Sequence, residues 1–129
     1  MENFTIPNVI LSCEEREKPE EFAKCAFFSG DWDSFKDLTS SEPKYDTILT
    51  SETIYNPENY LKLINFFKTR LKFDGKVYLS AKSYYFGVSG NVLDFCKMLD
   101  ADGDFSHENI WKSSEGVQRE ILLIKFKRN

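Results

Sequence analysis

The stretch Tyr45-Asp-Thr-Ile-Leu-Thr-Ser-Glu-Thr-Ile-Tyr55 joins a short apolar run to a dense group of polar side chains. Asp46 to Leu49 has the length and residue types of a strand buried on both faces. The residues after it are too polar to be buried without partners or a purpose: Thr50, Ser51, Glu52, Thr53 and Tyr55. In an open parallel sheet, the carboxyl end of a strand lies on the side where ligands bind. We therefore expect the chemistry of this chain at the end of this strand.

Composition indicates one small α/β domain and argues against two classes of partner. The 129 residues include 17 basic and 21 acidic side chains, which gives a net charge of −4. No basic patch is large enough to neutralise a phosphate backbone, so we expect no direct nucleic acid partner. No apolar run approaches the roughly 20 residues of a membrane span, and the first residues do not resemble a signal peptide. We expect no membrane partner and a cytoplasmic and nuclear location.

The metal-binding residue types lack the spacing of a metal site. The cysteines are odd in number and widely separated: Cys13, Cys25 and Cys96. The acidic run from Asp100 to Asp104 suggests calcium, but an EF-hand loop starting there needs Gly at position 105 and Glu at position 111. Phe105 and Trp111 occupy those positions. The single histidine, His107, has no companion at ligand spacing, and we predict no metal site.

The first third of the chain gives weaker signals. We expect no helix over residues 2–11 because Pro7 would interrupt it, and we expect Ser12 to Glu21 to form a solvated surface loop. Lys24 to Ser29 is a plausible short strand, closed by Gly30-Asp31-Trp32. That closing segment is a plain turn or presents a carboxylate and a flat ring to a ligand, and composition alone favours the turn.

The segments after the central strand predict a parallel crossover. Asp33 to Leu38, upstream, predicts one or two helical turns. Asn56-Pro57-Glu58 is a strong helix start, and the helix should run to about Lys72 with one apolar face: Tyr60, Leu61, Ile64, Phe67 and Leu71. Asp74-Gly75 should end this helix, and Lys76 to Ala81 predicts the next strand. Strand, helix and strand in this order predict a right-handed parallel connection.

The segment from Lys82 to Gly90 should lie at the same edge of the sheet as Glu52. It is aromatic and rich in glycine, and it either clamps a substrate or covers the core; the residues favour neither alternative. Val92 to about Asp100 predicts a second amphipathic helix. Residues 104–127 predict a C-terminal antiparallel hairpin whose second strand, with Ile121 to Ile124, is an interior one.

A parallel α/β region that ends in an antiparallel hairpin resembles the C-terminal half of a class I methyltransferase that uses S-adenosylmethionine, with its Rossmann-like seven-stranded fold. The motifs at 45–57 and 75–90, with Phe28-Ser-Gly-Asp-Trp32, closely resemble the protein-histidine methyltransferase family, the methyltransferase-like 18 group. The resemblance covers nearly the whole chain, residues 1–129. It implies an enzyme that methylates a histidine in a protein, plausibly a large-subunit ribosomal protein.

The resemblance also implies roles for individual residues. Asp31 and Trp32 would bind the adenine of S-adenosylmethionine, and Thr50 and Ser51 would line its methionine part. Glu52 and Tyr55 match an element that related enzymes place against the substrate side chain and are the candidate catalytic pair. The substrate entrance would be flanked by the loop residues Lys82, Tyr84, Tyr85 and Phe86.

The chemistry required of these residues is modest. A histidine acceptor with a pKa of about 6.5 is mostly neutral at pH 7, so methyl transfer needs no strong base. One ring nitrogen must offer its lone pair, and a carboxylate that accepts the N–H of the other selects that tautomer. Glu52 is our candidate for this carboxylate, with Tyr55 packing on the ring or hydrogen bonding to it.

The family pattern has elements that this sequence lacks. We find no Gly-rich loop after a first strand and no acidic residue that ends a second strand, so we expect a truncated fold in which these elements are absent. The strand around Ile48 would then lose a neighbour, and the chain alone would bind the cofactor weakly and have weak or no activity. Two alternatives stay open: a non-catalytic fragment that binds a partner, and a methyltransferase that acts on lysine.

Overall fold

The structure is a computed structural model that describes residues 4–128. The chain divides into two compact units, Met1–Phe35 and Lys36–Asn129. The helices and strands are α1 (Thr5–Glu15), a 3-10 helix (Pro19–Lys24), α2 (Trp32–Leu38), β1 (Tyr45–Ser51), a second 3-10 helix (Pro57–Asn59), α3 (Tyr60–Arg70), β2 (Leu71–Lys82), α4 (Val92–Asp102), β3 (Phe105–Lys112) and β4 (Arg119–Phe126). No helix among the described residues is long and apolar enough to cross a membrane.

The first unit differs from the sequence-based expectations in three places. α1 forms although it contains Pro7, because proline in the first helical turn removes no intrahelical hydrogen bond. Ser12 to Glu15 therefore belongs to a helix, and the expected loop 12–21 also overlaps the 3-10 helix. The strand predicted over Lys24 to Ser29 is wrong: residues 25–29 have no regular structure, since no strand pairs with them. α2 confirms the helical turns predicted for Asp33 to Leu38.

The second unit is built on a four-stranded mixed sheet in the order β1-β2-β4-β3. β1 and β2 are parallel, whereas β4 is antiparallel to both β2 and β3. β1 is thus an edge strand, and its Leu49 is 76% exposed. The prediction that Asp46 to Leu49 is buried on both faces is wrong: Ile48 is half-buried, whereas Asp46, Thr47 and Leu49 are exposed. The loss of a neighbour expected around Ile48 agrees with this position.

The helix predicted after Asn56 is present, but it ends earlier than expected. The Asn56 side chain accepts a hydrogen bond from the backbone N–H of Glu58 at 3.1 Å, and α3 follows one turn later. α3 ends at Arg70, and β2 begins at the next residue, so the prediction that Asp74-Gly75 ends the helix is wrong. Gly75 instead lies inside β2, where a Cβ atom would come within 3.0 Å of the Asp46 carbonyl oxygen.

Helices α3 and α4 supply the apolar side chains that cover one face of the sheet. The face of α3 is buried as predicted, except that Leu61 is 57% exposed. The largest fully buried side chains are Tyr60, Phe67, Phe95, Phe105, Ile54, Ile64, Leu71, Leu79, Leu99, Leu122, Ile124 and Val77. The Lys68 ammonium lies 2.5 Å from Asp102 and 2.8 Å from Asp104, which links α3 to the end of α4 and the start of β3.

The predicted second helix and C-terminal hairpin are confirmed. The Asn91 side chain caps α4 by accepting a hydrogen bond from the Asp94 N–H at 2.8 Å. β4 lies between β2 and β3, so the run Ile121 to Ile124 is in an interior strand.

Arg70 fixes the segment that leads into β1. Its guanidinium is 2% exposed and donates to three carbonyl oxygens, those of Thr39 at 2.6 Å, Glu42 at 3.2 Å and Pro43 at 2.9 Å. The guanidinium carbon also lies 5.1 Å from the centre of the Tyr45 ring. The last residue of α3 thus determines how the chain enters the edge strand.

Candidate active site at the rim of the sheet

Glu52 lies immediately after β1 in a backbone conformation that is rare for its type. Its φ is +56°, in the left-handed region, which costs a residue with a side chain about 1–2 kcal/mol. Its N–H donates to the carbonyl oxygen of Ser80 in β2 at 2.9 Å, which holds the turn against the sheet. The chain therefore leaves the sheet abruptly at Glu52, and the turn holds it next to the end of β2.

The Glu52 carboxylate faces a cation from the neighbouring strand. The Lys82 ammonium at the end of β2 lies 3.9 Å from a carboxylate oxygen of Glu52, and the two side chains are 38% and 41% exposed. At this distance the pair is loose, so the carboxylate keeps acceptor positions for another group. The same ammonium lies 5.6 Å from the centre of the Tyr85 ring.

Tyr85 is the buried member of this cluster. The residue is 6% exposed, and its hydroxyl has no hydrogen bond of normal geometry to any other described residue. Burial raises the pKa of Tyr85 to about 12; the Lys82 backbone N–H lowers the pKa, and the nearby Glu52 carboxylate raises it. The phenol therefore stays protonated at neutral pH and remains able to donate.

The loop from Lys82 to Gly90 packs directly against the turn that carries Glu52. The N–H of Gly90 donates to the Tyr55 carbonyl oxygen at 3.1 Å. A Cβ atom on Gly90 would come within 2.2 Å of the Ile54 carbonyl oxygen, so only glycine fits this approach. Glu52 and the loop thus share one edge of the sheet, as expected for strands that run parallel.

Tyr60 connects the turn after β1 to the end of the loop that precedes α4. Its place on the apolar face of α3 did not predict this role. Its hydroxyl lies 3.1 Å from the carbonyl oxygens of Ile54 and Asn91, and it accepts from the Asn91 N–H at 2.9 Å. Burial raises the pKa of the Tyr60 phenol, and the hydrogen bond from Asn91 opposes that rise. The available signal was the residue type, since a fully buried tyrosine usually has a partner for its hydroxyl.

The aromatic residues predicted to contact the substrate lie in the solvent. Tyr55 is 48% exposed, Tyr84 is 56% exposed and Phe86 is 89% exposed. The rings of Tyr84 and Phe86 meet edge to face with their centres 5.3 Å apart. They line a cavity of about 540 Å³ together with Val117 and neighbours in the hairpin turn. Substrate binding by these residues stays a prediction.

The residues predicted to bind a cofactor are found in both units. Thr50 and Thr53 share a hydrogen bond of 2.8 Å between their hydroxyls, and Thr50 and Ser51 line a cavity of about 290 Å³. In the first unit, Asp31 accepts a hydrogen bond from the N–H of Asp33 at 2.9 Å, and Trp32 is the first residue of α2.

Curated relatives share sequence with almost the whole chain. The histidine protein methyltransferase 1 homologs of Rattus norvegicus and Bos taurus are 41% and 37% identical to it over 147 and 148 residues. The Dictyostelium discoideum homolog is 34% identical over 129 residues. Each match covers 98% of this chain but only 40–41% of the relative. The chain is related to the histidine protein methyltransferases. It spans about two fifths of their length.

This finding confirms the resemblance that the motifs predicted. No family model matches the sequence. Comparison with solved structures shows the fold of this chain. The PH0226 protein from Pyrococcus horikoshii OT3 aligns with a TM-score of 0.57 at 15% identity, over 86% of this chain and 66% of that one. The fibrillarin pre-rRNA processing protein of Methanococcus jannaschii aligns with a TM-score of 0.56 at 18% identity, over 95% and 52%. The fold is the Rossmann-like α/β fold of class I methyltransferases, represented here in part.

The described residues contain no group of three or more histidine, cysteine or acidic side chains that could hold a metal ion. At the rim, the structure brings the charged groups of Glu52 and Lys82 together with Tyr85.

Proposed function

We propose that this chain is part of a protein methyltransferase that transfers a methyl group from S-adenosylmethionine to a histidine side chain of a protein. The observation that carries the proposal is the position of the Glu52 carboxylate. It lies at the carboxyl edge of the parallel pair, loosely held by Lys82, beside an exposed aromatic loop. The curated names of the relatives support the same activity.

The side chains present fit the cofactor in chemical type. The hydroxyls of Thr50 and Ser51 suit the carboxylate and ammonium of the methionine part, and they line a cavity on the second unit. In the first unit, the carboxylate of Asp31 suits an adenine amino group and the Trp32 indole suits a flat purine ring. When bound, S-adenosylmethionine supplies an electrophilic methyl group on a sulfonium.

The residues of the chain act on the acceptor. Glu52 accepts the N–H of one imidazole nitrogen, so that the lone pair of the other nitrogen faces the methyl group. The imidazole nitrogen would take the methyl group that S-adenosylmethionine supplies, and the electron pair of the sulfur–carbon bond would stay on sulfur. The imidazolium that results is stabilised by the Glu52 carboxylate and then releases the proton of that N–H to the carboxylate or to water.

Protein substrates fit the exposed rim better than small molecules do. Tyr55, Tyr84 and Phe86 are each about half exposed or more, and exposed ring surface suits a segment of another protein. A large-subunit ribosomal protein is our candidate substrate, and a cytoplasmic and nuclear location follows from that choice. The same exposed rings favour the second candidate function, a module that binds a protein partner without catalysis.

The test uses purified large ribosomal subunits and a deuterated methyl donor under single-turnover conditions. We expect the chain to transfer the label slowly, because it should bind the cofactor weakly, and to place it on a histidine that is located by mass spectrometry of peptides. A Glu52→Gln chain should transfer about tenfold more slowly or worse, because an amide stabilises the imidazolium less. Label on lysine would replace the histidine proposal with the lysine alternative, and binding of the subunits without any transfer would support the non-catalytic module.

A further inference from the structure

The Tyr85 hydroxyl is a buried polar group without a hydrogen-bond partner among the described residues. The residue is 6% exposed, and no other described residue completes a normal hydrogen bond to its hydroxyl. Burying an unpartnered hydroxyl costs free energy, and a phenylalanine at this position would avoid that cost. A tyrosine placed there therefore suggests a task for the hydroxyl in a state where a partner reaches it.

The groups around Tyr85 identify that partner. Glu52, from the turn after β1, is the carboxylate that acts on the Tyr85 hydroxyl. Lys82, from the end of β2, lies over the Tyr85 ring and 3.9 Å from the Glu52 carboxylate. Tyr60, from α3, is the other titratable group that acts on Tyr85, and its hydroxyl is already bonded to Ile54 and Asn91. Glu52 is thus the acceptor that a modest side-chain rotation can bring to Tyr85.

We infer that Tyr85 is a positioning residue whose hydroxyl donates to one oxygen of Glu52 and leaves the other oxygen for the N–H of the acceptor imidazole. This inference rests on the proposed function. Tyr85 then joins the loose Glu52–Lys82 pair, and its hydrogen bond restricts the rotation of the Glu52 carboxylate. A carboxylate fixed in this way selects one imidazole orientation, and the direction of attack on the methyl group depends on that orientation.

The conservative variant Tyr85→Phe separates this role from a purely structural one. The substitution removes the hydroxyl alone. If that hydroxyl has no role in positioning, the melting temperature should be unchanged or higher and methyl transfer should be normal. A positioning hydroxyl predicts the same melting temperature, a changed ¹³C resonance of the Glu52 carboxyl group, and a fall of about fivefold to twentyfold in the single-turnover rate. The half-saturating substrate concentration should change less than twofold, because Glu52 still meets the acceptor.

The experiment measures the Glu52 carboxyl resonance by NMR of the ¹³C-labelled chain, with and without N-acetylhistidine amide, and the transfer rate to large ribosomal subunits. Tyr45→Phe is the matched control, since Tyr45 lies at the opposite end of β1 and should change neither quantity. A Glu52 carboxyl resonance unaltered by Tyr85→Phe in both conditions overturns the hydrogen bond. A changed resonance with an unaltered transfer rate overturns the positioning role. Transfer of the methyl group to lysine alone overturns the proposed function, and the resonance still decides whether Tyr85 holds Glu52.

Discussion

The N–H of Gly90 donates to the carbonyl oxygen of Tyr55 at 3.1 Å, which joins the aromatic loop to the turn that carries Glu52. The contact depends on the absence of a side chain, because a Cβ on Gly90 would fall 2.2 Å from the Ile54 carbonyl oxygen. The geometry of the candidate site is therefore set by backbone contact between two loops, and side chains such as Tyr60 secure it.

Replacing Gly90 with alanine should push these loops apart. We expect the free energy of unfolding to fall by about 2–3 kcal/mol, as for other overpacked sites, measured by urea denaturation. Gly87→Ala in the same loop is the control: its Cβ meets nothing within 4 Å, and its φ of +78° should cost about 1 kcal/mol. Equal losses for the two variants would contradict the close approach at Gly90.

Two buried tyrosines should respond oppositely to loss of their hydroxyls. Tyr60→Phe leaves the Asn91 N–H and the Ile54 carbonyl without their partner, and we expect a loss of about 1–3 kcal/mol in the free energy of unfolding. Tyr85→Phe should be neutral or slightly stabilising, because its hydroxyl has no hydrogen bond in the described structure. Thermal and urea denaturation of both variants measure the difference, and a larger loss at Tyr85 would reverse our assignment.

Glu52 should show opposite effects on stability and on activity. Asparagine tolerates a positive φ better than glutamate does, so Glu52→Asn should raise the free energy of unfolding by about 0.5–1 kcal/mol. The same change should slow methyl transfer by about tenfold or more, because the carboxylate is lost. Glu17, with a φ of +57° in the first unit, supplies the control: Glu17→Asn should stabilise without slowing transfer. Loss of stability in Glu52→Asn would show that the Glu52 backbone is not strained.

Arg70 should contribute far more to stability than the neighbouring Lys72. Arg70→Met removes charged donors from three buried or partly buried carbonyl groups, and we expect a loss of about 2–4 kcal/mol in the free energy of unfolding. Lys72 pairs with Asp46 at 2.6 Å on the exposed surface, so Lys72→Met should cause little or no change. Comparable losses in the two variants, measured by urea denaturation, would contradict the structural role of Arg70.

Alkaline pH should destabilise the second unit. Burial raises the pKa of Tyr85 from 10.0 to about 12, and burial, with Asp100 and Glu120, raises that of Cys96 from 9.0 to about 11. The unfolded state loses these two protons at lower pH than the folded state does. The contribution of Cys96 to stability is therefore complete below pH 9 and is lost as the pH rises to about 11. The contribution of Tyr85 is complete below pH 10 and is lost as the pH rises to about 12. Melting temperatures of wild type, Tyr85→Phe and Cys96→Ala between pH 8 and 12 test this. Parallel curves for all three would refute it.

Local signals in the sequence were sufficient for much of this fold. Asn56 and Pro57 predicted the start of a helix because capping depends on a few adjacent residues, and two strand-like runs on either side of the turn at 113–116 predicted the C-terminal hairpin. The polar residues from Thr50 onward indicated the end of the central strand, and β1 ends at Ser51. The roles assigned to Glu52 and Tyr55 stay predictions, since side-chain geometry supports them without testing them.

The failures come from interactions with distant residues. Leu49 is exposed because burial of a strand depends on its neighbours, which its own residue types do not specify. Gly75 resembled a helix terminator, but the close approach of β1 requires glycine there. Tyr60 has partners 31 residues away in the sequence, and helical periodicity carries no information about them.

The direct passage of α3 into β2 at Arg70 and Leu71 has a consequence for how this chain can vary in length over evolution. With no connecting residue to absorb a change, one inserted residue would exchange the two faces of β2 and turn Val77 and Leu79 outward. Insertions and deletions should therefore be eliminated by selection at this junction. The exposed turn at residues 113–118 can instead lengthen or shorten among descendants at little cost.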